Sequence, residues 1–225
     1  MIKMVVFDMA GTTINEDNVV YKTLCDAVNA AGYDFTLAEV LAVGAGKEKL
    51  QAIKSVLALR DVEDDEQALT IFAGFERQLD NAYSMLPVTE QPNASALFGR
   101  LRAQQRYVVL NTGYSRAVAE TLIAKIGWRI GQDIDALVTA SDVDRNRPFP
   151  DMIHYAMQQL GVDDPAAVCK VGDSAIDIEE GKNAGCVINV GITTGAQTAA
   201  QMLVAKPTVV IDDLLELLPV LEGNS

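Results

Sequence analysis

Positive charge is scarce in this chain: 18 lysines and arginines stand against 31 acids over 225 residues, a formal net charge of −13. That balance argues against nucleic-acid or anionic-membrane binding, where Lys and Arg must neutralise phosphates. Long hydrophobic runs are missing as well. Asp8 interrupts the first apolar stretch, and no later one reaches the ~20 residues that a membrane-crossing helix needs. No basic stretch precedes that run, so a soluble cytoplasmic protein is expected. Cysteine is confined to Cys25, Cys169 and Cys186, widely spaced and in apolar surroundings. A disulfide framework or thiolate metal site is therefore disfavoured, and free buried thiols in a reducing compartment are expected. The single histidine, His154, falls in a helical pattern, where a packed or exposed ring is expected rather than a catalytic one. Aromatic residues make up only 6%, but apolar residues reach 49%, which is globular and too hydrophobic for disorder.

What is present is a series of short apolar runs rich in β-branched residues: 3–7, 107–111, 136–140, 167–172, 186–191 and 207–211. From residue 107 onward helical patterns alternate with them. SRAVAETLIAKIG begins on Ser115 and ends at Gly127, PDMIHYAMQQLG runs from Pro150 to Gly161, and SAIDIEEGKNAG from Ser174 to Gly185. Apolar strands alternating with helices predict a parallel sheet covered on both faces. Between the first strand and residue 107 the pattern differs. Residues 17–31, 36–43, 47–59 and 63–85 read as amphipathic helices with no strand among them, MLPVTEQPN reads as a linker, and 93–105 as a helix. The expected organisation is an α/β core of residues 1–15 and 89–225 interrupted by an all-helical unit of residues 16–88.

In an open parallel sheet, ligands bind beyond the carboxyl ends of the strands. Asp8 follows the first run, Thr112 and Gly113 follow the second in NTGYSR, and Asp173 and Asp177 follow the fourth in GDSAID. Arg147 and Arg145 lie beyond the third. Strand-end carboxylates suit Mg²⁺, which takes few protein ligands and keeps waters. A hydroxyl and free amides at a helix start suit phosphate oxygens, and an arginine suits their charge.

VVFDMAGTT, VVLNTGYSR, RPFPDMI and KVGDSAIDIEEGKNAG, in that order, resemble the four motifs of the haloacid dehalogenase superfamily. The helical unit after the first resembles its C1-type cap, inserted in a Rossmann-like core. The resemblance implies Asp8 as the nucleophile that forms an aspartyl-phosphate. It also implies Mg²⁺ on Asp8, the backbone carbonyl of Ala10 and Asp173, with Asp177 behind them. Phosphoryl oxygens would be held by Gly11, Thr12, Thr112, Gly113 and Arg147, the last preferred to Arg145 for its place in the RPxP string.

Two departures narrow the branch. Most phosphatases of the superfamily have a second Asp two residues after the nucleophile as general acid, typically worth 10²–10⁴-fold; here Ala10 stands there. The basic residue of the third motif is usually Lys and here is Arg147. Both features resemble the phosphonoacetaldehyde hydrolases (phosphonatases), which cleave a C–P bond using an iminium on a cap lysine as electron sink. Within VGAGKEKLQAIKSVL, residues 43–57, Gly44 and Lys47 match that family's segment, while Val43 replaces its Met and Leu50 its His. Lys49 and Lys54 read as solvated helix lysines. The expectation is a Mg²⁺-dependent hydrolase of a small phosphonate with Lys47 as the amine. A phosphomonoester phosphatase with another acid, and a non-catalytic binding domain on the same scaffold, are the alternatives. The branch also implies a homodimer through the cap.

Overall fold

A computed structural model describes residues 1–85 and 87–223. Along the chain run β1 (Met4–Asp8), β2 (Ile14–Asn15), α1 (Val19–Ala30), α2 (Leu37–Gly44), α3 (Lys49–Leu57), α4 (Asp65–Met85), β3 (Thr89–Glu90) and α5 (Ala94–Ala103). Then follow β4 (Tyr107–Thr112), α6 (Arg116–Ile126), β5 (Ala136–Thr139), α7 (Asp151–Leu160), β6 (Val168–Gly172), α8 (Ala175–Asn183), β7 (Ile188–Ile192), α9 (Ala199–Met202), β8 (Val209–Ile211) and α10 (Leu217–Gly223).

Among the described residues six strands form one sheet, ordered β5-β4-β1-β6-β7-β8, every neighbouring pair parallel. β1 is buried along its whole length. Its side chains alternate between the two faces, Val5 and Phe7 entering one apolar cluster and Met4 and Val6 the other. Continuous burial on both faces is why the strands read as unbroken apolar runs. The strand order reverses direction at β1 and β6, and such a switch point opens a crevice at the carboxyl ends of those two strands. Asp8 and Asp173 lie there.

Helices α1 to α4 form the insertion, α1 packing on α2 and α4, and α3 on the same two. Its apolar residues Leu24, Val28, Ile53, Val56, Phe75 and Leu79 are buried and continuous with one core face. Sequence reading missed β2 and β3, an antiparallel two-residue ribbon (Ile14 opposite Glu90, Asn15 opposite Thr89) at the two crossings into and out of the insertion. Strands of that length carry no readable alternation, and β3 falls inside the expected linker. Leu86 of that linker, with Asn224 and Ser225, lies outside the described residues. No helix among the described residues is long and apolar enough to cross a membrane.

Candidate active site

β1 and β6 run side by side, Phe7 paired with Val171, and β1 and β4 likewise, Asp8 paired with Asn111. Asp8, Thr112 and Asp173 therefore leave neighbouring strands at one edge, and all three are buried. The Thr13 hydroxyl donates to the Asp8 carbonyl at 2.9 Å, fixing the turn that follows Asp8. Thr12 is fully buried, and its hydroxyl has no hydrogen-bond partner among the described residues. Its neighbour Gly11 abuts the Asp173 carboxylate, so this orphan hydroxyl suits a ligand oxygen. Thr112 Oγ1 accepts from the Tyr114 amide at 3.2 Å.

Arg147 is the hub. Its Nη1 donates to Asp8 Oδ1 at 2.7 Å and lies 3.1 Å from Asp177 Oδ1. Nε donates to Glu180 Oε2 at 2.8 Å, and Nη2 reaches Asn111 Oδ1 at 2.7 Å and the Asn111 carbonyl at 3.0 Å. Arg145 instead holds Asp151 at the surface with contacts of 2.9 and 3.0 Å, so the RPxP preference for Arg147 coincides with the buried guanidinium. Asp177 also accepts from the Ser174 hydroxyl, which pins it at the start of α8. Sequence reading missed Asn111, Lys170 and Glu180. Lys170 is fully buried in β6, its Nζ 2.6 Å from Asn111 Oδ1, 3.0 Å from Asp177 Oδ1 and 3.1 Å from Glu180 Oε2. A lysine inside an otherwise apolar strand was the available signal, because a buried charge requires partners.

Four buried acids (Asp8, Asp173, Asp177, Glu180) thus face two buried cations, Arg147 and Lys170. Arg147 and Lys170 hold Asp177 below its ordinary range against burial. Asp8 and Asp173 are pushed up, first by burial and, for Asp173, next by the charge of Asp8. Asp173 Oδ2 accepts from the Ala196 amide at 2.6 Å. Glycines line its approach: a Cβ on Gly11 or Gly195 would lie 2.3 or 1.9 Å from that oxygen. The excess of acids, the hard oxygen donors and the glycine cradle fit a divalent cation such as Mg²⁺. Among the described residues no group of three or more His, Cys, Asp or Glu is arranged to hold a metal ion.

The structure does not bring the Lys47 amine to this centre. Its Nζ donates to Ser55 Oγ at 2.8 Å, and apart from burial the charge acting on it is Glu179. α3 begins at Lys49, not at residue 47, because Gly46 (φ +72) turns the chain and Glu48 caps the new helix by accepting from the Leu50 and Gln51 amides. That turn buries Lys49, whose Nζ donates to the Lys47 carbonyl at 2.9 Å and sits 5.1 Å from the ring centres of both Tyr21 and Tyr114. Burial lowers the Lys49 amine to about 8, and Asp8 is the foremost charge acting on it. The sequence holds a second Gly-x-x-Lys, Gly46 to Lys49, two residues beyond the first. Lys54 pairs with Asp65 at 2.7 Å on the surface, and His154 is exposed in α7.

The same turn seats the insertion on the core. Arg147 donates to the Gly46 carbonyl at 3.2 Å, the Gly46 amide donates to Tyr21 Oη at 2.8 Å, and a Cβ on Gly113 would fall 2.7 Å from the Lys47 carbonyl oxygen. Beside it a cleft of about 700 Å³ between α4 and the start of α6 has Lys49, Gly113, Tyr114 and Phe75 in its walls. Lys49 therefore faces this space as well as the charge of Asp8.

Residues 2–185 match the haloacid dehalogenase-like hydrolases. The phosphonoacetaldehyde hydrolase of Latilactobacillus sakei subsp. sakei is 32% identical over 203 residues, covering 85% of this chain and 75% of that one. That of Lactiplantibacillus plantarum is 32% identical over 209 residues, covering 87% and 77%. Among solved structures, a phosphonoacetaldehyde hydrolase-like protein from Oleispira antarctica has the same fold, with TM-score 0.85 at 23% identity over 99% of this chain and 92% of that one. The chain belongs to the haloacid dehalogenase-like hydrolases, in their phosphonoacetaldehyde hydrolase-like branch.

Proposed function

We propose that this hydrolase cleaves the C–P bond of phosphonoacetaldehyde or a closely related small phosphonate with a carbonyl β to phosphorus. The observation that carries the reading is Lys49: a buried amine lowered to about 8, with Asp8 as its foremost charged neighbour. It is combined with Ala10 where an ester phosphatase of the superfamily needs its acid. The position proposed for the amine moves from Lys47 to Lys49.

Neutral Lys49 attacks the substrate carbonyl carbon, and loss of water leaves an iminium. With Oδ1 held by Arg147, Asp8 Oδ2 is the oxygen left to attack phosphorus. As that bond forms, the C–P pair moves into the iminium to give an enamine, so no acid is required at position 10. Protonation and hydrolysis of the enamine release the aldehyde and restore the amine. Water then cleaves the aspartyl-phosphate. Asp8, Asp173 and the Ala10 carbonyl would hold Mg²⁺, which when bound offsets the repulsion between the Asp8 anion and the phosphoryl group. Thr12, Thr112 and the Gly113 amide are the proposed phosphoryl contacts, and Arg147 orients Asp8 while Asp177, Glu180 and Lys170 orient Arg147.

Borohydride added during turnover of phosphonoacetaldehyde is expected to leave a two-carbon adduct on Lys49, read by peptide mass spectrometry. Lys49→Arg abolishes turnover and trapping, whereas Lys47→Arg keeps both. Fast hydrolysis of phosphate esters with no phosphonoacetaldehyde cleavage would replace this reading with the phosphatase one.

A further inference from the structure

Glu16 stands just past β2, at the first crossing into the insertion, followed by Asp17 and Asn18, both in left-handed backbone at φ 54. Only 4% of it is exposed, and no cation bonds to it among the described residues. Its Oε2 accepts from the Val20 amide at 2.9 Å and from the Tyr83 hydroxyl at 3.0 Å. Tyr83 lies near the end of α4, at the other crossing. Its hydroxyl also shares a 2.7 Å hydrogen bond with that of Tyr114, in the turn between β4 and α6. The two tyrosine rings meet edge to face, centres 6.3 Å apart, and the Tyr114 ring is one of the two against the Lys49 amine. Three oxygens thus link the first crossing, the second crossing and the core wall beside the amine. A buried carboxyl with so few partners is costly to keep, and burial foremost pushes it up to about 7. Nothing in the reaction at Asp8 uses it.

We infer that Glu16 is a positioning residue for Lys49: through Tyr83 it fixes the Tyr114 ring that holds the amine in its attacking place, and it does so only while the insertion is seated on the core. Its two bond partners come from different elements, Val20 from α1 and Tyr83 from α4, and Tyr114 belongs to the core. The Tyr83–Tyr114 bond is the one that crosses from the insertion to the core, so the chain from Glu16 to the ring beside Lys49 is complete only in the seated arrangement. The role needs the acceptor oxygen, while the Glu16 charge also acts on the Lys49 amine. Glutamine at position 16 supplies that oxygen, and alanine does not.

This inference rests on Lys49 as the attacking amine. Its test measures the rate of borohydride trapping on Lys49 together with kcat and KM, in Glu16→Ala, Tyr83→Phe and Glu16→Gln. Glu16→Ala and Tyr83→Phe are expected to lower both the trapping rate and kcat by about tenfold or more with KM little changed, the effect of a reacting group held loosely. Glu16→Gln is expected to recover most of both. A merely structural role would lower thermal stability while leaving the trapping rate of the folded fraction unchanged. If Glu16→Ala fails to fold, Tyr83→Phe, which removes one oxygen, carries the same test. Wild-type trapping with both variants within twofold of it overturns this inference alone; no trapping in the wild type overturns it together with the reading of Lys49.

Discussion

Arg147 meets Asp8, Asp177, Glu180 and Asn111 with three nitrogens at once, a division of labour that only a planar guanidinium fork supports. A lysine at this place keeps the charge but converges it on one atom. Arg147→Lys is therefore expected to leave at least one buried carboxylate without its hydrogen bond, costing about 2–3 kcal/mol in thermal or urea unfolding. Turnover should fall by more than about 100-fold, because Asp8 loses the contact that fixes its attacking rotamer. Equal stability and activity in this variant would remove the guanidinium from the proposed mechanism. Ala10 argues in the opposite direction, since there the absence of a functional group carries the information. Asp introduced at position 10 would add a fifth acid to a cluster already rich in acids, next to the site proposed for the metal.

Where α3 begins decides which lysine is buried, and that start is a contact between elements. The Lys47 carbonyl lies against Gly113 of the β4–α6 turn so closely that a Cβ there would be 2.7 Å from the oxygen. Backbone on both sides leaves little to yield. Gly113→Ala is expected to push the α3 turn off the core, at a strain of roughly 1–3 kcal/mol, and to lower kcat/KM at least about tenfold in a folded protein, as judged by circular dichroism beside steady-state kinetics. The same contact explains what was legible beforehand. Buried parallel strands announce themselves as apolar runs, and a carboxylate ending such a run is conspicuous, so the sheet, the insertion and the placing of Asp8, Asp173 and Arg147 at one sheet edge could be read from the letters. Lys49 could not. Lys47 and Lys49 each stand three residues after a glycine. A helix expected from residue 47 hides the turn at Gly46, and only contact with the core breaks the tie. The β2–β3 ribbon and the Glu16–Tyr83–Tyr114 chain were invisible for a related reason, since their partners are far apart in sequence and only Tyr114 falls within a motif.

The whole molecule is strongly acidic, with net charge −13, yet its proposed substrate is an anion, so the centre needs local positive charge. Arg147 and Lys170 do not balance the four buried acids, and Asp8 and Asp173 respond by holding on to protons above the ordinary carboxylate range. The sign of the resulting pH dependence follows from linkage. A carboxyl raised in the folded state contributes stability that is full below its unfolded value and is lost as pH rises through the folded one. Metal-free protein should therefore become less stable on moving from mildly acidic to alkaline pH on account of these two groups. Mg²⁺ competes with those protons, so its binding should release protons and should stabilise more as pH rises. At a concentration about 100-fold over its Kd the gain is about 2.7 kcal/mol, or roughly 5–10 °C in Tm for a chain of this size. Scanning calorimetry with and without Mg²⁺ at several pH values measures it. The increment is expected to grow from acidic to neutral pH and to shrink sharply in Asp173→Asn, which removes one proposed ligand while relieving the same repulsion. That variant should melt higher than wild type without metal, yet turn over no substrate. A metal increment that is flat with pH, or preserved in Asp173→Asn, would place the cation elsewhere than between Asp8 and Asp173.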